Sequence, residues 1–312
     1  MSRVLWSIMP CVPPTRVSRT PPPHEPVREQ MLSSTPLRLS IGACSLSSTT
    51  KLPWANEDAQ FVAGNYCGVF DGVSALPASR AYARQLSGLT RSTLSREGAV
   101  IDAAAWKRTA VNALQAAARG AERLDGASTA CLACVDLERR QLSTYVLGDS
   151  GWLLFAPLGF APQTAASRSG RRSGRRLCAR SSPQRHSVGA PYQLVGGRRA
   201  DRSDPPSAGL ASTQPLLPGS VLLLHTDGLL DNLALDAIAE LVERDAARGA
   251  SALARRLAAA ARARRLKPDD VTVVAVLLDE RGSSVDASSV AAWSAVGLLG
   301  LAAASALQLG AM

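Results

Sequence analysis

Carboxylates recur in this chain where apolar runs begin or end. Asp71 follows YCGVF and precedes Gly72, and Asp227 follows VLLLHT and precedes Gly228. Asp269 and Asp270 open VTVVAVLL, Glu57 and Asp58 precede AQFVA, and Asp149 sits in the GDSG break between QLSTYVL and WLLF. One Asp-Gly pair is only a turn signal, because both residues accept turn conformations. Repetition changes the reading, since several such ends brought together form a cluster of hard oxygen donors. Carboxylates gathered without Lys or Arg partners repel one another, and divalent cations relieve that repulsion. Oxygen-only ligation favours Mg2+ or Mn2+ over zinc. Two ions sharing a carboxylate activate the water held between them for attack on a phosphoryl or acyl centre. No protein nucleophile is then required. The chain holds three histidines, His24, His186 and His225, and shows no convincing Ser-His-Asp arrangement.

The elements that must carry these residues are readable in outline. Phe61-Val62-Ala63 and the run from Tyr66 to Phe70 flank Gly64-Asn65, which is hairpin turn chemistry. Residues 78–94 and 100–119 read as helices; in the second, Ile101, Ala105, Val111, Leu114 and Ala118 form one apolar face. Residues 128–136, 141–147 and 152–155 read as strands, with a turn at LERR and another at GDSG. Residues 221–226 form a buried strand, 233–248 and 252–266 two helices, and 271–278 a last strand rich in β-branched residues. Cys131 and Cys134 have metal-like spacing but no second pair, and residues three apart on a strand face opposite sides. They read as small core residues.

The chain has 312 residues, 46% of them hydrophobic and only 4% aromatic, and a net charge of +10. No Asp or Glu occurs between Trp152 and Ala200, where Arg168, Arg171, Arg172, Arg175, Arg176, Arg180 and Arg185 crowd together. That arginine-rich stretch, placed at residues 160–190, reads as a solvated insertion without regular structure, with recruitment of acidic or phosphorylated substrates as the functional alternative. Residues 1–50 show no folded element. Their Arg- and Ser-rich, acid-poor composition suits a mitochondrial or plastid transit peptide, with a plain disordered tail over residues 1–38 as the other reading. Residues 290–309 carry no charge and have the length of a bilayer span, or of a packed helix. Membrane tethering through a tail at residues 287–312 is therefore an open expectation.

The motifs NEDA, GVFDGVS, GASTACLACVD, LGDSGWLL, LLLHTDGLLDN and KPDDVTVV stand in an order that resembles type 2C metal-dependent serine/threonine protein phosphatases. The similarity is to the compact branch found in mitochondria and plastids, and runs from about Leu39 to Asp279, within a domain placed at residues 39–286. The resemblance implies an α+β fold, an α-β-β-α sandwich of two antiparallel sheets flanked by helices, with two Mg2+ or Mn2+ ions at one edge. It implies hydrolysis of phosphoserine and phosphothreonine in phosphorylated protein substrates by a hydroxide bridging the two metals. Matched motif by motif, Asp71 takes the place of the carboxylate bridging both ions. The Gly72 carbonyl matches a ligand of the second ion, and Asp227 and Asp269 match ligands of the first. Glu57 and Asp58 match the acidic pair that acts mainly through water, Asp58 being counted with Asp71 as catalytic. Asp149 matches a residue linked to a weaker third ion. Asp270 stands where many relatives have Asn, so either neighbour in Asp269-Asp270 fits the ligand role.

The chain also departs from the pattern. Val73-Ser74-Ala75 follows Gly72, where relatives commonly have glycines or a histidine, which raises the expectation of a strained turn if positive φ is needed. Lys51 stands near the place of a phosphate-gripping arginine, as a point charge without bidentate geometry. His225 reads as a core histidine or as a neighbour of the metal site. Two rival classes remain: a weakly active or inactive phosphatase-like scaffold binding phosphoproteins, motivated by the altered turn, and a nucleic-acid binder, motivated by charge alone. The second leaves the ordered carboxylates unexplained, so no nucleic-acid partner is expected.

Overall fold

The structure is a computed structural model that describes residues 37–52, 55–97, 103–158, 174–187 and 189–280. Residues 1–36, 159–173 and 281–312 lie outside the described residues, and with them most of the stretch expected to be a transit peptide or plain tail and the whole of the expected C-terminal tail at 287–312. No described helix is long and apolar enough to cross a membrane.

Twelve strands and five α-helices make up the described chain. In order they are β1 (Leu37–Leu46), β2 (Ala59–Ala63), β3 (Tyr66–Phe70), α1 (Ser79–Leu94), α2 (Ala103–Ala121), β4 (Ala127–Ser128), β5 (Ala130–Asp136), β6 (Gln141–Leu147) and β7 (Gly151–Pro157). There follow β8 (Arg175–Arg180), β9 (Leu194–Val195), β10 (Leu210–Pro215), β11 (Val221–His225), α3 (Asp227–Leu230), α4 (Leu235–Asp245), α5 (Ala250–Arg264) and β12 (Val271–Glu280). One sheet has the order β1-β12-β11-β7-β8, a second β10-β6-β5-β3-β2, and β4 pairs with β9. Every pairing is antiparallel.

Three apolar clusters define four layers. Cys67, Val69, Cys131, Trp152, Leu222, Leu224, Val274 and Val276 fill the space between the two sheets. Tyr66, Phe70, Leu132 and Tyr145 turn outward onto Leu86, Trp106 and Leu114 of α1 and α2. Leu223, Val271, Val273 and Ala275 turn outward onto Ile238, Leu253 and Leu257 of α4 and α5. The central strands are thus covered on both faces, which is why VLLLH and VTVVAVLL read as continuous apolar runs rather than alternating ones. The expected α-β-β-α sandwich is what the chain forms. Cys131 faces the inter-sheet core and Cys134 the helix-side core, so the two thiols sit on opposite faces as expected.

Two elements differ from the sequence expectation. Residues 37–46 form strand β1, paired with β12 along ten residues, where no folded element was expected before residue 50. Its pattern is weak because Ser40 and Cys44 are half-buried and the buried position at its centre is a glycine, and Gly42 is set by its neighbour: a Cβ there would lie 2.2 Å from the Ser251 backbone nitrogen at the start of α5. Arg175–Arg180, inside the stretch expected to lack regular structure, is edge strand β8. Its side chains alternate between half-buried and exposed, so three arginines are tolerated while Leu177 and Ala179 pack on the cores. The helix expected from residue 100 is described from Ala103.

Candidate metal centre

Antiparallel register brings the acidic strand ends to one edge. Ala59 of β2 pairs with Phe70 of β3, so Glu57 and Asp58 before one strand lie beside Asp71 after the other. His225 at the end of β11 pairs with Val273 near the start of β12 and with Gly151 at the start of β7. Asp227, Asp269 and Asp149 are therefore delivered to the same end of the sandwich. Close backbone approach completes the edge. A Cβ on Gly228 would lie 2.1 Å from the Asp270 carbonyl, and one on Gly72 would lie 2.5 Å from the Glu57 carbonyl.

Carboxylate oxygens of Asp71, Asp149 and Asp227 lie within 4.8 Å of one another, and a second group of Asp227, Asp231 and Asp269 meets the same limit. Asp58 is buried and accepts a hydrogen bond from Thr226 Oγ1 at 2.8 Å. Burial, followed by the charges of Asp58, Asp227 and Asp269, pushes the Asp71 carboxyl well above the usual carboxylate range. Burial also pushes Asp58 up to about 8, against hydrogen bonds from Thr272 and Thr226 that favour its anion. Asp149 rises to about 6 through burial and Asp227, partly offset by Arg185. Asp227 moves the other way: burial acts to raise it, but the Lys267 ammonium, by its charge and its hydrogen bond, outweighs that.

One detail tests whether a cation fits. Asp227 Oδ1 is buried and has no hydrogen-bond partner. An orphaned oxygen on the carboxylate that belongs to both acidic groups, with no nitrogen or sulfur donor in either, suits a hard divalent cation. The donors present therefore fit a divalent metal ion.

Each residue singled out in the sequence has a definite place here. Asp71, Asp149, Asp227 and Asp269 come together. Asp58 lies beneath them. Glu57 turns toward Lys51 and Ser74, each 2.5 Å from its Oε2. Asp270 is buried and holds chain rather than facing the group: its carboxylate accepts from the backbone N–H of Ser48 at 2.7 Å, the backbone N–H of Glu57 at 2.8 Å and Lys51 Nζ at 3.0 Å. The pair Asp269-Asp270 thus divides its work, with Asp269 nearer the cluster. Lys51 is engaged by Glu57 and Asp270, not left free to grip a phosphate. His225 is buried, with Nδ1 3.0 Å from the Thr226 carbonyl, and burial lowers it to about 4, so it stays neutral in the core.

The structure corrects two expectations. The cluster is not free of basic partners: Lys267 Nζ lies 3.0 Å from Asp227 and 2.5 Å from Asp231, and Arg185 lies 2.9 Å from Asp149. The turn after Gly72 is not strained by positive φ, since among described non-glycine residues only Arg140 and Arg265 have it. The scaffold reading loses that motive. Sequence reasoning missed Asp231, Lys267 and Arg185. Asp231 had a signal, because four residues after Asp227 is one helical turn.

These shifts predict how metal-free protein responds to pH. Asp58 binds a proton up to about 8 when folded but only up to its ordinary 3.8 when unfolded, so it contributes stability that is lost as pH rises through that window. His225 acts oppositely, between about 4 and 6.5, and its effect is complete at 6.5. Between pH 6.5 and 8 the melting temperature in EDTA is expected to fall. Excess Mn2+ is expected to remove most of that fall, because ions bind the deprotonated carboxylates. Differential scanning fluorimetry across that range checks both, and a flat EDTA profile contradicts the assignment of Asp58.

The four-layer sandwich is a fold shared with solved PPM-type serine/threonine phosphatases. The structure resembles that of the photosystem II phosphatase PBCP with a TM-score of 0.60 at 21% identity, over 77% of this chain and 98% of that one. It also resembles the catalytic domain of the serine/threonine phosphatase PstP in complex with two manganese ions, with a TM-score of 0.51 at 17% identity, over 78% and 100%. By sequence the chain is 29% identical over 219 residues to probable protein phosphatase 2C 55 of Arabidopsis thaliana. It is 32% identical over 216 residues to the protein phosphatase PTC7 homolog fig of Drosophila yakuba. These matches take in 68% and 62% of this chain, but only 40% and 61% of the two relatives' lengths. No protein-family profile matches the chain. In sequence and in fold the chain is thus similar to type 2C, or PPM, phosphatases.

Proposed function

We propose that this chain is a divalent-metal-dependent protein phosphatase that hydrolyses phosphoserine and phosphothreonine in proteins. The observation that carries the reading is the Asp71–Asp149–Asp227 group with its orphaned, buried Asp227 oxygen. Asp71, Asp227 and Asp269 are the residues that would hold two Mg2+ or Mn2+ ions, with the Gly72 carbonyl and Glu57 toward the second. Bound there, such ions supply the positive charge that acidifies water and neutralises phosphoryl oxygens. The chain's own part is to keep the donors together. Thr226 orients Asp58, Asp270 fixes the Glu57 and Ser48 backbones, and the antiparallel register fixes the rest.

The names of the relatives and structural neighbours support the substrate class, and the manganese-bound neighbour supports the choice of ion. The composition of residues 1–38 supports an address in the mitochondrion or plastid. The length of residues 290–309 supports membrane association through the tail. The test is phosphate release from a phosphothreonine peptide by the full chain, with and without Mn2+. Release that depends on Mn2+ is expected; none, from protein shown by circular dichroism to be folded, overturns the proposal.

A further inference from the structure

Asp227 divides its two oxygens between different surroundings. Oδ2 lies 3.0 Å from Lys267 Nζ, while Oδ1 is buried and has no hydrogen-bond partner. The same ammonium lies 2.5 Å from Asp231 Oδ2 and 3.5 Å from Asp269 Oδ2. It therefore touches every member of the Asp227–Asp231–Asp269 group. For the Asp71–Asp149–Asp227 group, its contact is the shared Asp227. Two overlapping acidic groups thus receive unequal treatment: Lys267 reaches all three members of one, while the other has Arg185 at Asp149 and Lys267 only at the shared Asp227.

Lys267 is placed there by its backbone. The buried Asn232 accepts from the backbone N–H groups of Leu266 at 2.9 Å and Lys267 at 3.1 Å through Oδ1. Its Nδ2 donates to the carbonyls of Gly228 and Lys267, each at 2.9 Å. Asn232 thereby fastens the residue bearing the ammonium to the turn bearing Asp227 and Asp231. A lysine with a free backbone would give up ion pairing to side-chain entropy, as exposed pairs commonly do. This one has its backbone fixed and three carboxylates within reach of one nitrogen.

An ammonium and a divalent ion cannot use this group together. A Mg2+-sized ion needs carboxylate oxygens at about 2.0–2.1 Å, converging on one centre. The ammonium holds the same oxygens at 2.5 to 3.5 Å around its own nitrogen. An ion that uses the Oδ2 atoms of all three residues must displace Nζ, and the flexible lysine stem permits that.

We propose that Lys267 is a resident cation of the acidic edge. It holds Asp227, Asp231 and Asp269 together before any divalent ion binds, and it competes with divalent ions for that group while leaving the Asp71–Asp149–Asp227 group to them. Lys267 is a positioning residue that acts through these carboxylates. The inference rests on the proposed metal centre and adds which side of it is already neutralised.

The test compares full-length wild type, Lys267→Met, Asp231→Asn and the double variant. Melting is followed in EDTA, and Mn2+ binding is followed by electron paramagnetic resonance of free Mn2+. Lys267→Met is expected to melt lower than wild type in EDTA, yet to bind Mn2+ more tightly by about 10-fold or to take up one more ion. In the Asp231→Asn background the same lysine change is expected to have a much smaller effect on both readouts. A lysine that merely packs on the surface would lower melting without raising Mn2+ uptake, and that result overturns the inference. So do superimposable Mn2+ isotherms for wild type and Lys267→Met. If neither protein binds Mn2+, the metal centre itself fails and this inference falls with it. If wild type binds and the variants do not differ, this inference alone fails.

Discussion

Replacing Asp71 by Asn is expected to remove Mn2+-dependent phosphate release, by more than about 100-fold. Loss of a group that merely orients a metal ligand already costs about 10–100-fold in affinity or activity, and Asp71 is placed as a ligand itself. Its surroundings make a second effect predictable. The carboxyl is pushed upward by burial and by Asp58, Asp227 and Asp269. A neutral amide of the same shape relieves that repulsion, so the metal-free variant should melt no lower than wild type, with a margin that grows as pH rises. Dead enzyme with undiminished metal-free stability is the signature of a metal site. Loss of activity with equal loss of stability at all pH values would instead mark Asp71 as a structural residue. Phosphate release and EDTA melting curves on the same preparations separate the two.

The second large effect is expected far from the acidic edge. Replacing Gly42 by Val should destabilise the fold by more than about 3 kcal/mol, read from the urea midpoint. A Cβ at this position would lie 2.2 Å from Ser251 N, 2.4 Å from Ser251 Cα and 2.5 Å from the Ala250 carbonyl carbon. All three are backbone atoms at the start of α5, so no side-chain rotation relieves the clash. Strand β1 or helix α5 must move, and α5 is the helix whose Leu253 and Leu257 cover the sheet. Gly88→Ala is the control. A Cβ there meets nothing within 4 Å in the middle of α1, and the change should stabilise by about 0.5–1 kcal/mol. Equal tolerance of both substitutions would show that β1 does not pack against α5 as described.

Much of the acidic edge was legible in the sequence because its signals are local. Asp71-Gly72 and Asp227-Gly228 follow short apolar runs, and Asp269-Asp270 precedes one, so each carboxylate announces its own strand end. The ordered motifs then supplied the fold, since an α-β-β-α sandwich is what they resemble. Strand β1 was not legible: half-buried Ser40 and Cys44 and a glycine at its buried centre weaken the apolar pattern, and its pairing partner β12 lies at the far end of the described chain. Strand β8 was hidden by its arginines, which this sheet edge accepts because Arg176 and Arg180 are exposed and the half-buried Arg175 donates to the Gly219 carbonyl.

What the sequence determined by itself is the list of hard oxygen donors and their attachment to strand ends, because residue type and local periodicity are properties of short stretches. Only the tertiary structure decided how those donors are shared. Lys267 reaches back to Asp227 and Asp231, Arg185 reaches back to Asp149, and Lys51 reaches forward to Asp270. Charge pairing depends on distances of a few ångströms between segments tens or hundreds of residues apart. Strand register sets those distances, and no short stretch of sequence carries them.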